Sequence, residues 1–167
     1  MTIKVGDRVP DATLTEFIET ETAGCTLGPN NFQVADLVKG KKILMFALPG
    51  AFTPTCSAKH VPSYVEHNAA IKAKGVDEVW CVAVNDAFVM GAWGKASGVD
   101  GKVTMLADGN GDFVKAVGLE MDGSKFGMGA RGQRFAMIVN DGKVEHLFVE
   151  APGEFRVSSA EYMLEQL

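Results

Sequence analysis

Strand-like apolar runs alternate with helix-like segments along most of the chain. Residues 43–48 and 78–84 are short apolar runs bounded by turn or polar residues, which predicts two buried strands. A helix is predicted between them from Thr53 to about Lys74, because Gly75 follows where a left-handed cap is typical. This alternation predicts an α/β protein in which helices pack on the faces of a central sheet.

Three further elements follow the second strand. They are a helix over residues 86–97, a strand over 103–106 and a short helix over 111–117 that is closed by Gly118. The stretch from Gly118 to Gly132 contains more glycines between its two ends. It predicts a long irregular segment that borders the functional surface.

The C-terminal third predicts a hairpin and a helix. Residues 134–139 and 143–149 are strand-like, and the Asp-Gly pair between them suits the positive φ values of a tight turn. Ser158 predicts the N-cap of a final helix, with Glu161 as its reciprocal capping partner. A parallel βαβ unit followed by a hairpin and a helix is the element order of a thioredoxin-like fold, with a central mixed sheet flanked by helices. Periodicity alone leaves a flavodoxin-like sheet open.

Composition places the chain among ordinary globular proteins. Its 167 residues contain 47% hydrophobic and 22% charged residues, and no linker or repeat interrupts them, which predicts a single domain over residues 1–167. The formal net charge of −5 disfavours nucleic acid as a partner. The longest apolar run is too short to cross a membrane and no export signal is visible, so we expect a cytoplasmic protein with no membrane partner.

The segment from Pro49 to Ser57 carries the candidate chemistry, where a predicted strand ends and a helix begins. Thr53 is a preferred N-cap residue whose hydroxyl can accept from first-turn amides, and Pro54 suits the first helical position. Cys56 then lies in the first turn, where free amides and the positive end of the helix dipole favour an anion. We therefore expect Cys56 to be a reactive thiolate.

A simpler interpretation of Cys56 is a small residue packed near a loop, since free cysteines are often buried. The local charge favours a thiolate, because residues 41–75 contain five Lys and one acidic residue, Glu66. A solvated lysine face accounts for the same pattern, so the charge alone does not decide between the two interpretations.

Three thiolate reactions require different surroundings. Disulfide exchange usually uses Cys-x-x-Cys, whereas Thr53 and Lys59 occupy the two flanking positions here. A cysteine hydrolase needs a His base, and His60, one turn along the same helix, is poorly aimed for that role. Attack on a peroxide needs a preformed thiolate and donors that polarise the O–O bond, which fits Thr53 and an Arg.

At these residues the chain resembles a known family. Pro49-x-x-x-Thr53-x-x-Cys56 matches the Pro-x-x-x-Thr-x-x-Cys signature of peroxiredoxins, and residues 46–57 resemble the type II, or atypical, branch. The likeness extends over nearly the whole chain, including the Arg-Phe-Ala-Met run at 134–137. The resemblance implies a thioredoxin fold, a peroxidase that reduces hydrogen peroxide and alkyl hydroperoxides through a cysteine sulfenic acid, and commonly a homodimer.

The resemblance assigns roles to four residues. Cys56 would be the peroxidatic cysteine, Thr53 a hydrogen-bond partner of the sulfur and the peroxide, and Pro49 a shield against water. Arg134 matches the family's active-site arginine, and a guanidinium beside Cys56 would stabilise the thiolate and orient the substrate. Arg131 is the weaker candidate, because it precedes the predicted strand rather than opening it.

The step that reduces the sulfenic acid departs from the pattern of some atypical members. Those members form a disulfide with a cysteine near the C-terminal helix, where this chain has Ser158, and no cysteine follows Cys81. We therefore expect no bound cofactor and an external thiol as electron donor, and the resemblance implies glutathione with glutaredoxin, or thioredoxin. Reduction through Cys25 or Cys81 stays open, although Cys81 is expected to be buried in mid-strand.

A different function also stays open at this stage. Oxidation of Cys56 could change an interface while turnover is incidental, which would make the protein a peroxide sensor or a redox-controlled interaction protein. Steady-state turnover with a thiol donor separates this alternative from a peroxidase.

Several other residues receive structural interpretations. The Asp-rich run 108–112 has the oxygen spacing of a calcium loop but lacks the required Gly and Glu after it, so a plain turn is predicted. His60 and His67 are expected to be polar packing residues, and we expect no metal site. Pro62 predicts a kink in its helix, and phenylalanines such as Phe52 are expected in the core or at a dimer interface.

Overall fold

A computed structural model describes residues 1–167 and contains one large mixed sheet. Its strands run in the spatial order β2-β1-β5-β4-β3-β8-β9, with the following bounds: β1 Thr13–Ile18, β2 Gly28–Gln33, β3 Lys42–Ala47, β4 Glu78–Ala83, β5 Thr104–Ala107, β8 Phe135–Asn140 and β9 Lys143–Val149. A second, two-stranded sheet joins β6, Glu120–Asp122, to β7, Ala130–Gly132.

The centre of the large sheet is parallel and its edges are antiparallel. Strand β4 pairs in parallel with both β3 and β5, whereas β8 pairs antiparallel with β3 and with β9. The predicted thioredoxin-like fold, with a mixed central sheet flanked by helices, is confirmed.

Six α-helices accompany the sheets, with the following bounds: α1 Val34–Leu37, α2 Val61–Glu66, α3 Asn68–Ala73, α4 Ala87–Ala96, α5 Asp112–Ala116 and α6 Ala160–Gln166. No helix is long and apolar enough to cross a membrane.

Strand β3 is buried on both faces, because successive side chains point to opposite sides of a sheet. Leu44 and Phe46 belong to a core cluster of 22 buried residues that also receives Tyr64 from α2. Ile43 and Met45 belong to a second cluster of 18 buried residues on the other face. Helices on both sides therefore fix β3, and its C-terminal end becomes a rigid starting point for the loop that follows.

The strands and most of the helices that the hydrophobic pattern predicts are present with bounds shifted by one or two residues. The single helix predicted from Thr53 to about Lys74 is wrong, because the structure divides it into a π-helical turn, α2 and α3, with His67 between the two α-helices. The predicted hairpin is formed by β8 and β9, and its turn contains Asp141 at φ 48° and Gly142 at φ 83°. These positive φ values explain why the Asp-Gly pair occurs there.

The predicted N-cap of the last helix is wrong by one residue. Ser159, not Ser158, caps α6, and its hydroxyl oxygen accepts from the backbone N–H of Tyr162. Ser158 is fully buried and donates its hydroxyl to Glu150. Adjacent serines offer two candidate caps, and the long-range contact to Glu150 decides between them.

Two hairpins lie outside the sequence-based predictions. Strands β1 and β2 pair over six residues at the edge of the large sheet, although their sequences are too polar to predict a buried strand. The stretch 118–132, predicted to be irregular, forms β6, β7 and a 3-10 turn over Ser124–Phe126. Short, exposed strands lack the apolar run on which such predictions depend.

Candidate active site

Cys56 lies in the first turn of the helical segment that follows β3, as predicted. The backbone N–H of Ser57 donates to the carbonyl of Thr53 at 2.9 Å, which is the first intrahelical bond. Residues Cys56–His60 form a π-helical turn, and the α-helical pattern resumes at Val61, immediately before Pro62. Proline has no N–H to donate, so the change of helical pattern occurs where a regular bond is missing.

The structure brings Arg134 and Cys56 together. The Nη2 atom of Arg134 donates to the Cys56 sulfur at 3.1 Å, and the cysteine has no exposed surface. The pairing of Ala47 with Phe135 in the β3–β8 ladder places the residue just before β8 beside the end of β3. The contact of Arg134 with Cys56 places a fixed positive charge directly beside the sulfur.

His60 links Arg134 to the C-terminal part of the chain. Its Nδ1 lies 2.7 Å from Arg134 Nη1, and its Nε2 lies 3.0 Å from the carbonyl oxygen of Ser158. Burial first, and the charge of Arg134 second, lower the pKa of His60 well below its usual value, so the ring is neutral at neutral pH. The predicted packing role of His60 is confirmed, and its contact with Arg134 was not foreseen.

The hydrogen bonds of the Thr53 hydroxyl differ from the predicted ones. Its hydroxyl donates to the carbonyl of Gly50 at 2.8 Å, and the structure shows neither a cap bond from it to a first-turn amide nor a hydrogen bond to Cys56. The loop carbonyl takes the only hydroxyl proton, so the side chain cannot also donate to the sulfur. The oxygen lone pairs remain available to accept a hydrogen bond from a substrate.

The loop that carries Pro49 is fixed by groups that lie far away in sequence. Arg131 Nη1 donates to the carbonyl of Val84 at 3.1 Å and to that of Pro49 at 3.4 Å. The side-chain oxygen of Asn85 accepts from the N–H of Ala51 at 2.9 Å. Arg131 does not contact the sulfur, as expected, but it holds the loop that precedes Thr53. Sequence reasoning missed this role because it depends on tertiary contacts.

A cavity of about 400 Å³ opens beside this loop. Pro49, Thr55 and the half-buried Arg134 lie in its wall, and the same Arg134 donates to the buried Cys56 sulfur. A small molecule that enters the cavity therefore meets the guanidinium next to the sulfur.

Neither of the other two cysteines forms a hydrogen bond with Cys56 or Arg134, although Cys81 belongs to the same core cluster as Cys56, and all three cysteines are free thiols. Cys81 is completely buried in β4, as predicted, and burial raises its pKa well above the usual value. Cys25 is half-buried in a turn that its backbone closes by pairing with Thr22.

Potential metal ligands meet in one exposed group, formed by Glu66, His67 and Glu161, whose ligand atoms lie within 4.8 Å of one another. His67 Nε2 is 3.0 Å from a carboxylate oxygen of Glu161, so this hydrogen-bonded contact connects the end of α2 to α6. The group lies at the opposite end of the helical segment from Cys56 and contributes nothing to the site described above.

The Asp108 segment and the exposed phenylalanines lie outside the Cys56–Arg134 contact. The Asp108 segment is a turn, as predicted, and the carboxylate oxygens of Asp108 accept from the amides of Phe113 and Val114 at the start of α5. Phe52 and Phe88 are 55% and 65% exposed, so placing them in the core of this chain is wrong. Phe52 has a positive φ of 62° in the loop before Thr53, which turns its ring outward.

Known proteins share this architecture and this sequence. The Redoxin family model matches residues 4–164. Peroxiredoxin-2B of Arabidopsis thaliana is 46% identical, and the alignment covers 99% of this chain and 98% of that protein. The chain belongs to the peroxiredoxin family. The crystal structure of reduced Prx3 from Vibrio vulnificus in complex with hydrogen peroxide is a 47% identical peroxiredoxin, with a TM-score of 0.91 and 99% coverage of both chains.

A crystal structure from Burkholderia cenocepacia described as a candidate thioredoxin reductase is also similar, with 56% identity, a TM-score of 0.99 and coverage of 100% of this chain and 99% of that one. In this peroxiredoxin, Thr53 and Lys59 stand where a Cys-x-x-Cys dithiol would need a second cysteine. The site therefore has one sulfur, which suits thiol-dependent reduction of a peroxide.

Proposed function

We propose that Cys56 attacks the peroxide directly and that an external thiol reduces the product. The sulfur attacks one peroxide oxygen, the O–O bond breaks, and its electron pair leaves on the other oxygen, which takes a proton to become water or an alcohol. The sulfur is oxidised by two electrons to a sulfenic acid while the peroxide is reduced by two. The observation that carries this proposal is the 3.1 Å contact between Arg134 Nη2 and the Cys56 sulfur.

Arg134 has two roles in this proposal. Its fixed positive charge stabilises the thiolate before reaction, and its guanidinium lies beside the oxygen on which negative charge develops. Its second nitrogen is bound to His60 at 2.7 Å, so the guanidinium is held in place before the substrate arrives. Preorganised donors of this kind lower the barrier without reorganising during the reaction.

Thr53 and Pro49 serve the substrate rather than the sulfur. The Thr53 hydroxyl donates its hydrogen bond to the Gly50 carbonyl, so its oxygen is oriented to accept a hydrogen bond from the protonated peroxide oxygen. Pro49 offers no N–H and stands in the wall of the cavity beside Arg134, where it limits the access of water.

An external donor follows from the positions of the cysteines. Cys81 is buried with a raised pKa, which makes it a poor nucleophile, and the backbone of Cys25 is held in a turn by pairing with Thr22. Glutathione would attack the sulfenic sulfur and release water, and a second thiol, from glutathione or glutaredoxin, would then displace Cys56 from the mixed disulfide. Thioredoxin is the competing donor.

Peroxide consumption by the wild type and by Cys56→Ser tests this function, with Cys25→Ser as the matched control. We expect Cys56→Ser to lose all turnover with every donor and Cys25→Ser to keep it. Wild-type protein that is oxidised once and recycled by none of the donors would instead be the peroxide sensor.

Mass spectrometry identifies the intermediate. Protein treated with one equivalent of peroxide should gain a single oxygen at Cys56, and glutathione should convert this product to an adduct at the same sulfur. A disulfide from Cys56 to Cys25 or Cys81 would contradict the external route.

We also propose a homodimer in the cytoplasm. The exposed rings of Phe52 and Phe88 support the dimer, because large exposed apolar side chains near a site are typical of an interface.

A further inference from the structure

The side chain of Glu150 is buried, and the residue lies at the edge of the cavity that Pro49, Thr55 and Arg134 also line. Its Oε2 atom accepts from the successive backbone amides of Arg156, Val157 and Ser158 at 2.8, 2.9 and 2.9 Å, and from the Ser158 hydroxyl at 2.6 Å. Consecutive amides that converge on a carboxylate form a strong anion site. These three amides have no other acceptor in the structure, so Glu150 fixes the end of the loop formed by residues 150–158.

The two ends of this 150–158 loop contact Arg134 and His60. At its start, the N–H of Glu150 donates to the carbonyl of Arg134 at 2.9 Å. At its end, the carbonyl of Ser158 accepts from the Tyr64 hydroxyl at 2.7 Å and meets His60 Nε2 at 3.0 Å.

The Ser158 carbonyl determines which nitrogen of His60 carries the proton. A carbonyl can only accept, so the proton of the neutral ring is on Nε2 and Nδ1 is left as an acceptor. An acceptor at Nδ1 is what the N–H of Arg134 requires at 2.7 Å. The opposite tautomer would set two N–H groups against each other.

The same loop makes a second, independent contact with His60 and Arg134. The ring of Phe155 lies 4.9 Å from the His60 ring, centre to centre, and 6.0 Å from the Arg134 guanidinium carbon. Both distances permit the ring to hold the imidazole and the guanidinium in place.

We propose that Glu150 is a positioning residue for the peroxidase reaction. Its carboxylate fixes the 150–158 loop, the loop presents the Ser158 carbonyl and the Phe155 ring, and these orient His60 so that Arg134 stays on the Cys56 sulfur. This inference rests on the proposed function of Cys56 and Arg134, and Glu150 itself forms no hydrogen bond with the sulfur.

The rate of Cys56 oxidation by hydrogen peroxide, followed in a single turnover, tests the proposal. Glu150→Ala should slow oxidation by about 10- to 100-fold, because small displacements of a catalytic group cost factors of this size. Glu145→Ala is the matched control, since it removes an exposed carboxylate from β9, and it should react at the wild-type rate. Glu150→Gln keeps a neutral acceptor and should recover part of the lost rate.

Repeating the Glu150 substitution in a protein that lacks Arg134 distinguishes a positioning role of Glu150 from a general structural effect. If Glu150 acts through Arg134, Glu150→Ala should change the rate by less than about twofold in an Arg134→Met protein, because coupled residues are not additive. An equal loss in both backgrounds would overturn the proposal. Where Glu150→Ala does not fold, as circular dichroism reports, Glu150→Gln is carried through the same pair of backgrounds with the same two outcomes.

The ¹⁵N spectrum of His60 gives a readout that does not depend on activity. The wild type and Glu145→Ala should show a single Nε2–H tautomer, and Glu150→Ala should show a mixture or the other tautomer. An unchanged tautomer in Glu150→Ala would also overturn the proposal. Failure of the proposed function would look different, because the wild type would then not be oxidised at Cys56 while the tautomer still responded to Glu150.

Discussion

Arg134 and His60 share one short hydrogen bond, in which guanidinium Nη1 lies 2.7 Å from imidazole Nδ1. The imidazole must be neutral to accept this bond, and its complete burial keeps it so. Because the other guanidinium nitrogen donates to Cys56, the protonation state of a histidine is tied to the position of the charge beside the reactive sulfur.

The stability of the protein should fall as the pH drops below about 6.5, the usual pKa of His60. The pKa of this buried ring is lowered in the folded state, so the unfolded chain takes up a proton that the folded chain excludes. The contribution to stability is therefore complete above that pH and is lost below it, with a limiting slope of about 1.4 kcal/mol per pH unit. Denaturant unfolding between about pH 8 and pH 5 measures this slope.

A pair of histidine variants assigns the slope to its source. His60→Gln should flatten the dependence of unfolding free energy on pH, whereas His146→Gln, which alters a half-exposed ring on β9, should leave it unchanged. If His60→Gln retained the wild-type slope, the neutral buried imidazole would not be its cause.

Removal of both other cysteines should leave the peroxidase intact. The double variant Cys25→Ser, Cys81→Ala should turn over peroxide at the wild-type rate with an external thiol, because neither sulfur is proposed to act on Cys56. The fully buried Cys81 side chain is replaced by a smaller one, so the free energy of unfolding should fall by about 1–2 kcal/mol. Turnover that disappeared in a folded double variant would assign the reduction step to one of these cysteines.

Asp108 should stabilise the start of α5. Asp108→Ala removes the acceptor of the amides of Phe113 and Val114 and should lower the free energy of unfolding by about 1–2 kcal/mol. Asp112→Ala, at an exposed position of the same helix, should cost less. Calcium should not raise the melting temperature of the wild type. A calcium-dependent rise that Asp108→Ala abolished would show that residues 108–112 form a metal-binding loop.

Substitutions of exposed phenylalanines should distinguish a dimer interface from the rest of the protein surface. Phe88→Glu should convert the expected homodimer to monomer in light scattering, because it replaces one of the exposed rings that support the dimer with a charge. Phe126→Glu changes a ring that is 79% exposed in the β6–β7 segment and should leave the mass unchanged. A monomeric wild type, or a dimer that survives Phe88→Glu, would contradict this interface.

Local sequence patterns predict those structural features that depend only on residues close together in the chain. The buried strand β3, the cysteine in the first helical turn after it and the Asp-Gly hairpin each depend on neighbouring residues, and each is present. The proximity of Arg134 to Cys56 was expected only through the family resemblance, and the β3–β8 register supplies its physical cause.

Long-range contacts explain what sequence reasoning missed. The hydroxyl of Thr53 turns to Gly50 instead of capping the helix, and Ser158 leaves the capping position to Ser159 because Glu150 binds it. Arg131 looked peripheral because its acceptors, the carbonyls of Pro49 and Val84, are distant in sequence. Each outcome depends on which backbone groups become neighbours in the folded chain.

The rate of Cys56 oxidation by hydrogen peroxide in Arg134→Met, compared with the wild type, tests the central claim most directly. Arg8→Met, which removes an exposed guanidinium, is the control and should react as the wild type does. Loss of the donor to sulfur should slow Arg134→Met by about 100- to 1,000-fold, and Arg134→Lys should recover little, because one ammonium does not reproduce the two-pronged contact with Cys56 and His60. An Arg134→Met protein that is folded and oxidised at the wild-type rate would contradict the account.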